Sequence, residues 1–190
     1  MLSNIYSFSR MVVDHSYSQI VEIFNGNYEN NVTERINPEP NSYIDTFINL
    51  WSEPNWIIDN IYLGNAYNAS SYSTLENLNI KSIVNVTKEV NNYFEYTNYF
   101  NYIKIPISDK NTSSLSKYFD KVLEFIYENQ KNEGNILIHC FAGRSRSVTI
   151  VALYLMKKYN MSLDNAIKYI KEKRNIININ TKFYEELKKI

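Results

Sequence analysis

His139-Cys140-Phe141-Ala142-Gly143-Arg144-Ser145-Arg146-Ser147, preceded by Ile136-Leu137-Ile138 and followed by Val148-Thr149-Ile150-Val151-Ala152-Leu153, decides how this chain folds. The β-rich run before it holds no turn signal and predicts a strand over 136–138. From Ser145 onward, Val148, Val151, Ala152 and Leu155 recur on one face at helical spacing. Between strand and helix lies a loop whose backbone N–H groups would converge with the positive end of the helix dipole, which is an anion cradle with phosphate as its natural guest. Cys140, at the end of the strand, would face those donors, and the field that binds a phosphate also stabilises a thiolate, the nucleophilic form. Arg146 lies six positions on, where a curled loop can return its guanidinium fork to two phosphoryl oxygens, as Lys could not. Gly143 permits the tight curl. The alternative for a lone Cys is an inert place in a buried strand.

These residues carry a resemblance. His139-Cys140, Gly143, Arg146 and Ser147 match the His-Cys-x-x-Gly-x-x-Arg-Ser loop of the protein tyrosine phosphatase superfamily, and with Ala142 and Ser145 the loop is most similar to that of the dual-specificity phosphatases. The resemblance extends over about 54–190. Tyr62-Leu63-Gly64 resembles the opening of those domains, and Asn85 stands where the family has an Asn that buttresses the phosphate loop. Asp109, with Leu115 and Phe119 following six and ten positions later, stands where the family has its general acid. Arg174-Asn175-Ile176-Ile177-Asn178-Ile179-Asn180 resembles the family's Arg-x-x-Ile-x-Pro-Asn segment, with Ile179 in place of the usual Pro.

Length and composition bound the rest. The 190 residues, 44% hydrophobic and 15% aromatic, suffice for one full core with an appendage. No apolar run reaches the roughly 18 residues that span a bilayer, and the first residues lack the pattern of an export signal, so no membrane partner is expected. A single Cys excludes an internal disulfide and fits a reducing cytoplasm or nucleus. With only His15 and His139 beside it, no zinc set forms, and neither metal nor cofactor is expected. Charge is uneven: residues 1–100 carry 4 basic and 11 acidic side chains, residues 140–190 carry 11 and 4. The basic third would attract phosphorylated substrates, or its lysines merely solvate helix faces; nucleic-acid binding would need a clearer positive excess.

Along the chain, residues 1–52 read as an N-terminal extension. It has a short helical pattern over 16–24, an Asn- and Pro-rich mobile linker, and a stripe of Tyr43, Phe47, Leu50 and Trp51 that either covers the domain or forms a homodimer surface. Residues 53–190 read as the catalytic domain, starting near Pro54. Two short strands flank an Asp59-Asn60 turn, a helix covers 73–78, and strands cover 80–86 and 102–106. A helix follows over 114–127 with Leu115, Phe119, Val122, Leu123 and Ile126 as its core stripe. Ser162 is expected to cap a helix over 163–174, and Thr181 the last one. A general acid belongs on a loop able to close over the pocket, which suits Asp109 better than Asp120 inside a helix.

The expected fold is therefore α/β, a mixed, centrally parallel sheet flanked by helices, with the site at the C-terminal edge of the Cys140 strand. The resemblance implies two-step hydrolysis of a phosphoprotein. Cys140 attacks phosphorus, Asp109 acts as acid and then base, and Arg146 with the loop amides of Phe141, Ala142, Gly143, Arg144, Ser145 and Arg146 holds the phosphoryl oxygens. Ser147 eases departure of the thiolate, and His139 and Asn85 support the loop. Arg144 is expected at the pocket rim. A phosphoinositide or an RNA 5′-phosphate as substrate, or a phosphate-binding module without turnover, stay open as alternatives.

Overall fold

The computed structural model describes residues 52–190. The readings made for residues 1–51 lie outside the described residues. Five strands form one sheet: β1 (Asn55–Ile58), β2 (Ile61–Gly64), β3 (Ile80–Asn85), β4 (Asn101–Lys104) and β5 (Asn135–His139), in the order β1-β2-β5-β3-β4. β1 and β2 form an antiparallel hairpin, while β2, β5, β3 and β4 run parallel, so the sheet is mixed and parallel at its centre, as expected. β5 lies between β2 and β3, and the registers bring Gly64, His139 and Asn85 level at one edge.

Among the described residues six helices cover the sheet: α1 (Ala66–Ser70), α2 (Tyr72–Asn77), α3 (Phe119–Asn129), α4 (Arg146–Tyr159), α5 (Leu163–Lys173) and α6 (Thr181–Leu187). A strand buried on both faces sends alternate side chains into two cores. Ile136 and Ile138 of β5 join Ile61, Leu63 and Val84 in the larger core beneath α3 and α4, whereas Leu137 joins Ile80, Ile83, Leu75 and Ala69 in the smaller one under α1 and α2. Every residue of α4 from Arg146 to Leu155 is buried, so this helix is apolar nearly all round because the sheet and its helical neighbours enclose it.

Three local features depart from expectation, the first through a tertiary partner and the other two through caps from neighbouring residues. The helix expected over 114–127 becomes a short 3-10 turn, Ser116–Tyr118, before α3. The N–H groups of Leu115 and Ser116 are held by Glu186 of α6, at 2.8 and 3.0 Å, which caps the turn from a distance of seventy residues in sequence. The last helix is capped by Asn180, whose amide oxygen accepts from the N–H groups of Lys182 and Phe183, and Thr181 is its first helical residue. α1 has no apolar periodicity to announce it and is held by a capping box between Asn65 and Asn68.

The β1–β2 turn is anchored by its own first residue. Asp59 has φ 49°, a left-handed conformation that Asp and Asn tolerate through their short polar side chains. Its carboxylate accepts hydrogen bonds from the hydroxyls of Tyr154 and Tyr159 and from Lys158 Nζ, all at the end of α4. Burial alone would raise its pKa, but these three donors outweigh it and hold the carboxyl at about 2. A carboxyl depressed in the folded state contributes stability above its ordinary value of 3.8, and that contribution is lost as the pH falls through about 2. Asp59→Asn keeps the turn conformation and removes the charge. Thermal melts should show a deficit of about 1 kcal/mol at pH 7, modest because the site is partly exposed, which closes between pH 4 and pH 2.

Candidate active site

β5 ends at His139, and the chain then curls through residues 140–145 into α4. The curl keeps its shape because its carbonyls are taken from outside. The N–H of Ala66 donates to the Phe141 carbonyl at 3.0 Å, Arg174 Nε to that of Gly143 at 2.8 Å, and the N–H of Asn178 to that of Arg144 at 2.8 Å. Carbonyls bound to the surroundings are what an anion cradle requires, since a carbonyl turned inward would repel the guest. Gly143, at φ 65°, passes so close to β2 that a Cβ there would stand 2.6 Å from the Gly64 carbonyl oxygen and 2.7 Å from Arg174 Nη2. The position therefore needs glycine for conformation and for space.

Cys140 lies within this curl, buried, and accepts a hydrogen bond from the Ser147 hydroxyl at 3.2 Å. Ser147 occupies the first turn of α4, so its hydroxyl is fixed by a buried helix. The cap residue of that helix, Ser145, makes no side-chain cap bond. Its hydroxyl instead donates to Asp109 Oδ1 at 2.9 Å and accepts from the N–H of Asn180 at 3.1 Å, while Asn180 Nδ2 donates to the same Asp109 oxygen at 3.2 Å. Asp109, expected on a loop near the pocket, is thus tied to the Cys140 loop and to the cap of α6.

The Arg146 guanidinium is 4% exposed and is shared between two loops: Nη1 donates to the Ile107 carbonyl at 3.0 Å, and Nη2 pairs with Glu89 Oε1 at 2.6 Å. Burial alone would lower its pKa, but the charges of Cys140, Glu89 and Asp109 together raise it, so the cation is secure. Arg174 is in the opposite position. Burial lowers its pKa to about 10, with the Arg144 charge adding to the fall and the Cys140 charge opposing it. It remains a cation at neutral pH, fixed by Gly143 and by Asn55 Oδ1 at 2.6 Å. His139 is buried, and desolvation above all, with the charges of Arg146 and Lys104 adding, pushes its pKa down to about 3. The ring also makes a hydrogen bond to the Cys140 backbone.

One expectation is corrected by these contacts. Asn85 does not spend its side chain on the 140–146 loop: Nδ2 donates to the Val90 carbonyl at 2.9 Å and to Asn92 Oδ1 at 3.0 Å, and Oδ1 accepts from Thr87 at 2.7 Å. It organises the turn that carries Glu89. Arg144, expected at the rim, is half-buried and donates from Nε to the Ile176 carbonyl at 3.0 Å, which ties the loop to the segment before α6. Glu89, Arg174 and Asn180 are the site residues that sequence reasoning left without a role. Arg174 and Asn180 carried a signal as the two ends of the segment over 174–180, whereas nothing in the sequence marks Glu89.

This arrangement is that of a known family. The family model described as "Dual specificity phosphatase, catalytic domain" matches residues 61–190, and the chain belongs to that family. It is 40% identical over 136 residues to human Dual specificity protein phosphatase 9, covering 72% of this chain and 35% of that protein. It is 36% identical over 134 residues to Dual specificity protein phosphatase 1 of Arabidopsis thaliana, covering 70% of this chain and 67% of the relative. The chain thus spans about a third of the length of the human relative. Among solved structures, a human tyrosine phosphatase-like serine/threonine/tyrosine-interacting protein superposes with a TM-score of 0.67 at 26% identity, over 72% of this chain and 93% of that one. No helix among the described residues is long and apolar enough to cross a membrane.

The close approach at Gly143 makes a direct test. Gly143→Ala forces the 140–146 loop away from Gly64 and Arg174 while leaving both cores untouched. Binding of inorganic tungstate should weaken about tenfold or more, with the far-ultraviolet spectrum changing little and the urea midpoint falling.

Proposed function

We propose that this chain hydrolyses phosphomonoesters on proteins, phosphotyrosine as well as phosphoserine and phosphothreonine, through a phosphocysteine on Cys140. The observation that carries this reading is the convergence on one loop of a buried Cys140 with the Ser147 hydroxyl at 3.2 Å, Arg146, and Asp109 bonded to Ser145 at 2.9 Å. A nucleophile, an anion-gripping cation and a carboxyl acid are what phosphoryl transfer needs, and a pure phosphate binder needs neither the first nor the last.

In the first step the Cys140 thiolate attacks phosphorus in line, forming the S–P bond as the P–O bond to the leaving alcohol breaks. Asp109 gives its proton to the departing oxygen. Arg146 and the backbone amides of residues 141–146 hold the three equatorial oxygens, whose charge is spread most widely in the transition state. In the second step Asp109, now a carboxylate, takes a proton from water as its oxygen attacks phosphorus. The S–P bond breaks, the electron pair returns to Cys140 sulfur, and the Ser147 O–H stabilises the thiolate by donating to it. Inorganic phosphate leaves. Arg146 supplies positive charge to the phosphoryl group, and the amides supply oriented dipoles. A reducing compartment, the cytoplasm or nucleus, keeps the one cysteine as a thiol.

The test is turnover of an aryl phosphate and of a phosphopeptide panel in excess chelator. Cys140→Ser should retain less than about a thousandth of the activity while keeping fold and oxyanion binding. Absence of turnover by the unaltered chain on every substrate would leave a binding module instead. For Asp109→Asn the expected signature is selective: about a hundredfold loss on phosphoserine peptides, whose alkoxide leaves poorly, and a much smaller loss on activated aryl esters, which depart without a proton. Equal losses on both would make Asp109 structural.

A further inference from the structure

Glu89 places a carboxylate on the arginine that the proposed chemistry needs for phosphate. An anion in that position can act in two opposite ways: it can compete with the substrate for the guanidinium, or it can hold the guanidinium where the substrate will meet it. The fixity of the turn around it separates the two. Thr87 and Asn85 are fully buried and Val90 is 5% exposed. The Thr87 hydroxyl donates to Asn85 Oδ1 at 2.7 Å and accepts from the N–H of Val90 at 3.1 Å, while Asn85 Nδ2 closes on the Val90 carbonyl at 2.9 Å. Glu89 therefore sits in the middle of a turn clamped on both sides by buried, hydrogen-bonded side chains. Its second carboxylate oxygen accepts from the N–H of Lys88 at 3.1 Å, which sets the carboxylate itself. A competitor that must swing away at every turnover would not be built on so rigid a base.

Arg146 supplies the other half. With Nη1 on the Ile107 carbonyl and Nη2 on Glu89, two of the three nitrogens of a planar fork are pinned from two different loops, so the plane is determined. Nε, the third, is buried and has no hydrogen-bond partner among the described residues. That is a buried donor held open within the field of Cys140. The Ile107 carbonyl also accepts from the N–H of Lys88 at 3.2 Å, so the Glu89 turn, the guanidinium and the strand end leading to Asp109 form one connected unit. The side chain of Glu89 is 28% exposed, so solvent screens its repulsion of an incoming phosphate, whereas its contact with Nη2 is direct.

We infer that Glu89 is a positioning residue for phosphate binding: its carboxylate fixes the plane of the Arg146 guanidinium and stays paired with it when phosphate is bound. The inference rests on the reading of Arg146 as the phosphate ligand. Binding of inorganic phosphate to the full chain carrying Cys140→Ser tests it without turnover, with Glu89→Gln and Glu89→Ala added and thermal melts run on each. Glu89→Gln keeps an acceptor of the same shape and should weaken phosphate about threefold; Glu89→Ala removes both charge and acceptor and should weaken it about tenfold or more. In chains that keep Cys140, the same order should appear in kcat/KM on an aryl phosphate. In an Arg146→Lys background, Glu89→Ala should add less than about twofold, because the group it positions is gone. Unchanged or tighter phosphate binding in Glu89→Ala would overturn the inference and make Glu89 a bystander or a competitor. So would an undiminished loss in the Arg146→Lys background. If the Cys140→Ser parent binds no phosphate, the functional reading itself falls and the inference with it, an outcome distinct from binding that ignores Glu89.

Discussion

The hydrogen bonds that draw the carbonyls of Phe141, Gly143 and Arg144 outward are the interaction on which the rest of this structure depends. A backbone curl of this kind is unfavourable by itself: it requires a left-handed residue at Gly143, and it gathers peptide dipoles in one orientation. Its partners come from three separate places, namely the start of α1 through Ala66, the residue after α5 through Arg174, and the segment before α6 through Asn178. The sheet brings these together. β5 lies between β2 and β3 in parallel register, so the loop after it emerges beside the ends of both neighbours, and Gly64 ends level with His139. Ligand sites at the carboxyl edge of parallel strands arise for this reason: all the connecting loops start there.

A second constraint is charge. Arg146 and Arg174 are each about 97% buried or nearly so, at 4% and 3% exposure, close to a single sulfur. Two buried cations near one point would be costly unless anions answered them. The structure answers asymmetrically. Arg146 receives Glu89 and lies within the field of Asp109, and its pKa rises, whereas Arg174 receives only neutral acceptors, Gly143 and Asn55, and its pKa falls. The two arginines therefore differ in kind. One is a charge held ready at the mouth of the curl, and the other is a strut whose planar fork joins the loop to β1.

Asn180 illustrates how one residue can serve packing and chemistry together. Its amide oxygen caps α6, its backbone N–H meets the Ser145 hydroxyl, and its Nδ2 reaches Asp109. α6 is short, and its cap is what positions Phe183 and Leu187 in the larger core. Stability of the last helix and placement of Asp109 are thereby coupled through a single residue, which also meets the Ser145 hydroxyl diverted from capping its own helix.

The amino-acid sequence by itself determined the strand–loop–helix unit around Cys140 and the hairpin at Asp59-Asn60, because each is set by local terms: an apolar run, a helical stripe, a turn pair. It also marked Cys140 and Arg146 through their place on the strand–loop–helix unit, and Asp109 and Ser147 through the resemblance that the motif carries. What only the tertiary structure decided are the partners that join distant segments: Glu89 to Arg146, Arg174 to Gly143, Glu186 to the turn at Leu115, and Asn180 to Asp109 and Ser145. The reason is physical. A local signal such as a Ser or Thr before a helix is worth about 1 kcal/mol, and a buried donor or acceptor offered by a distant segment is worth as much or more, so the outcome is settled only when the sheet has brought both claimants together.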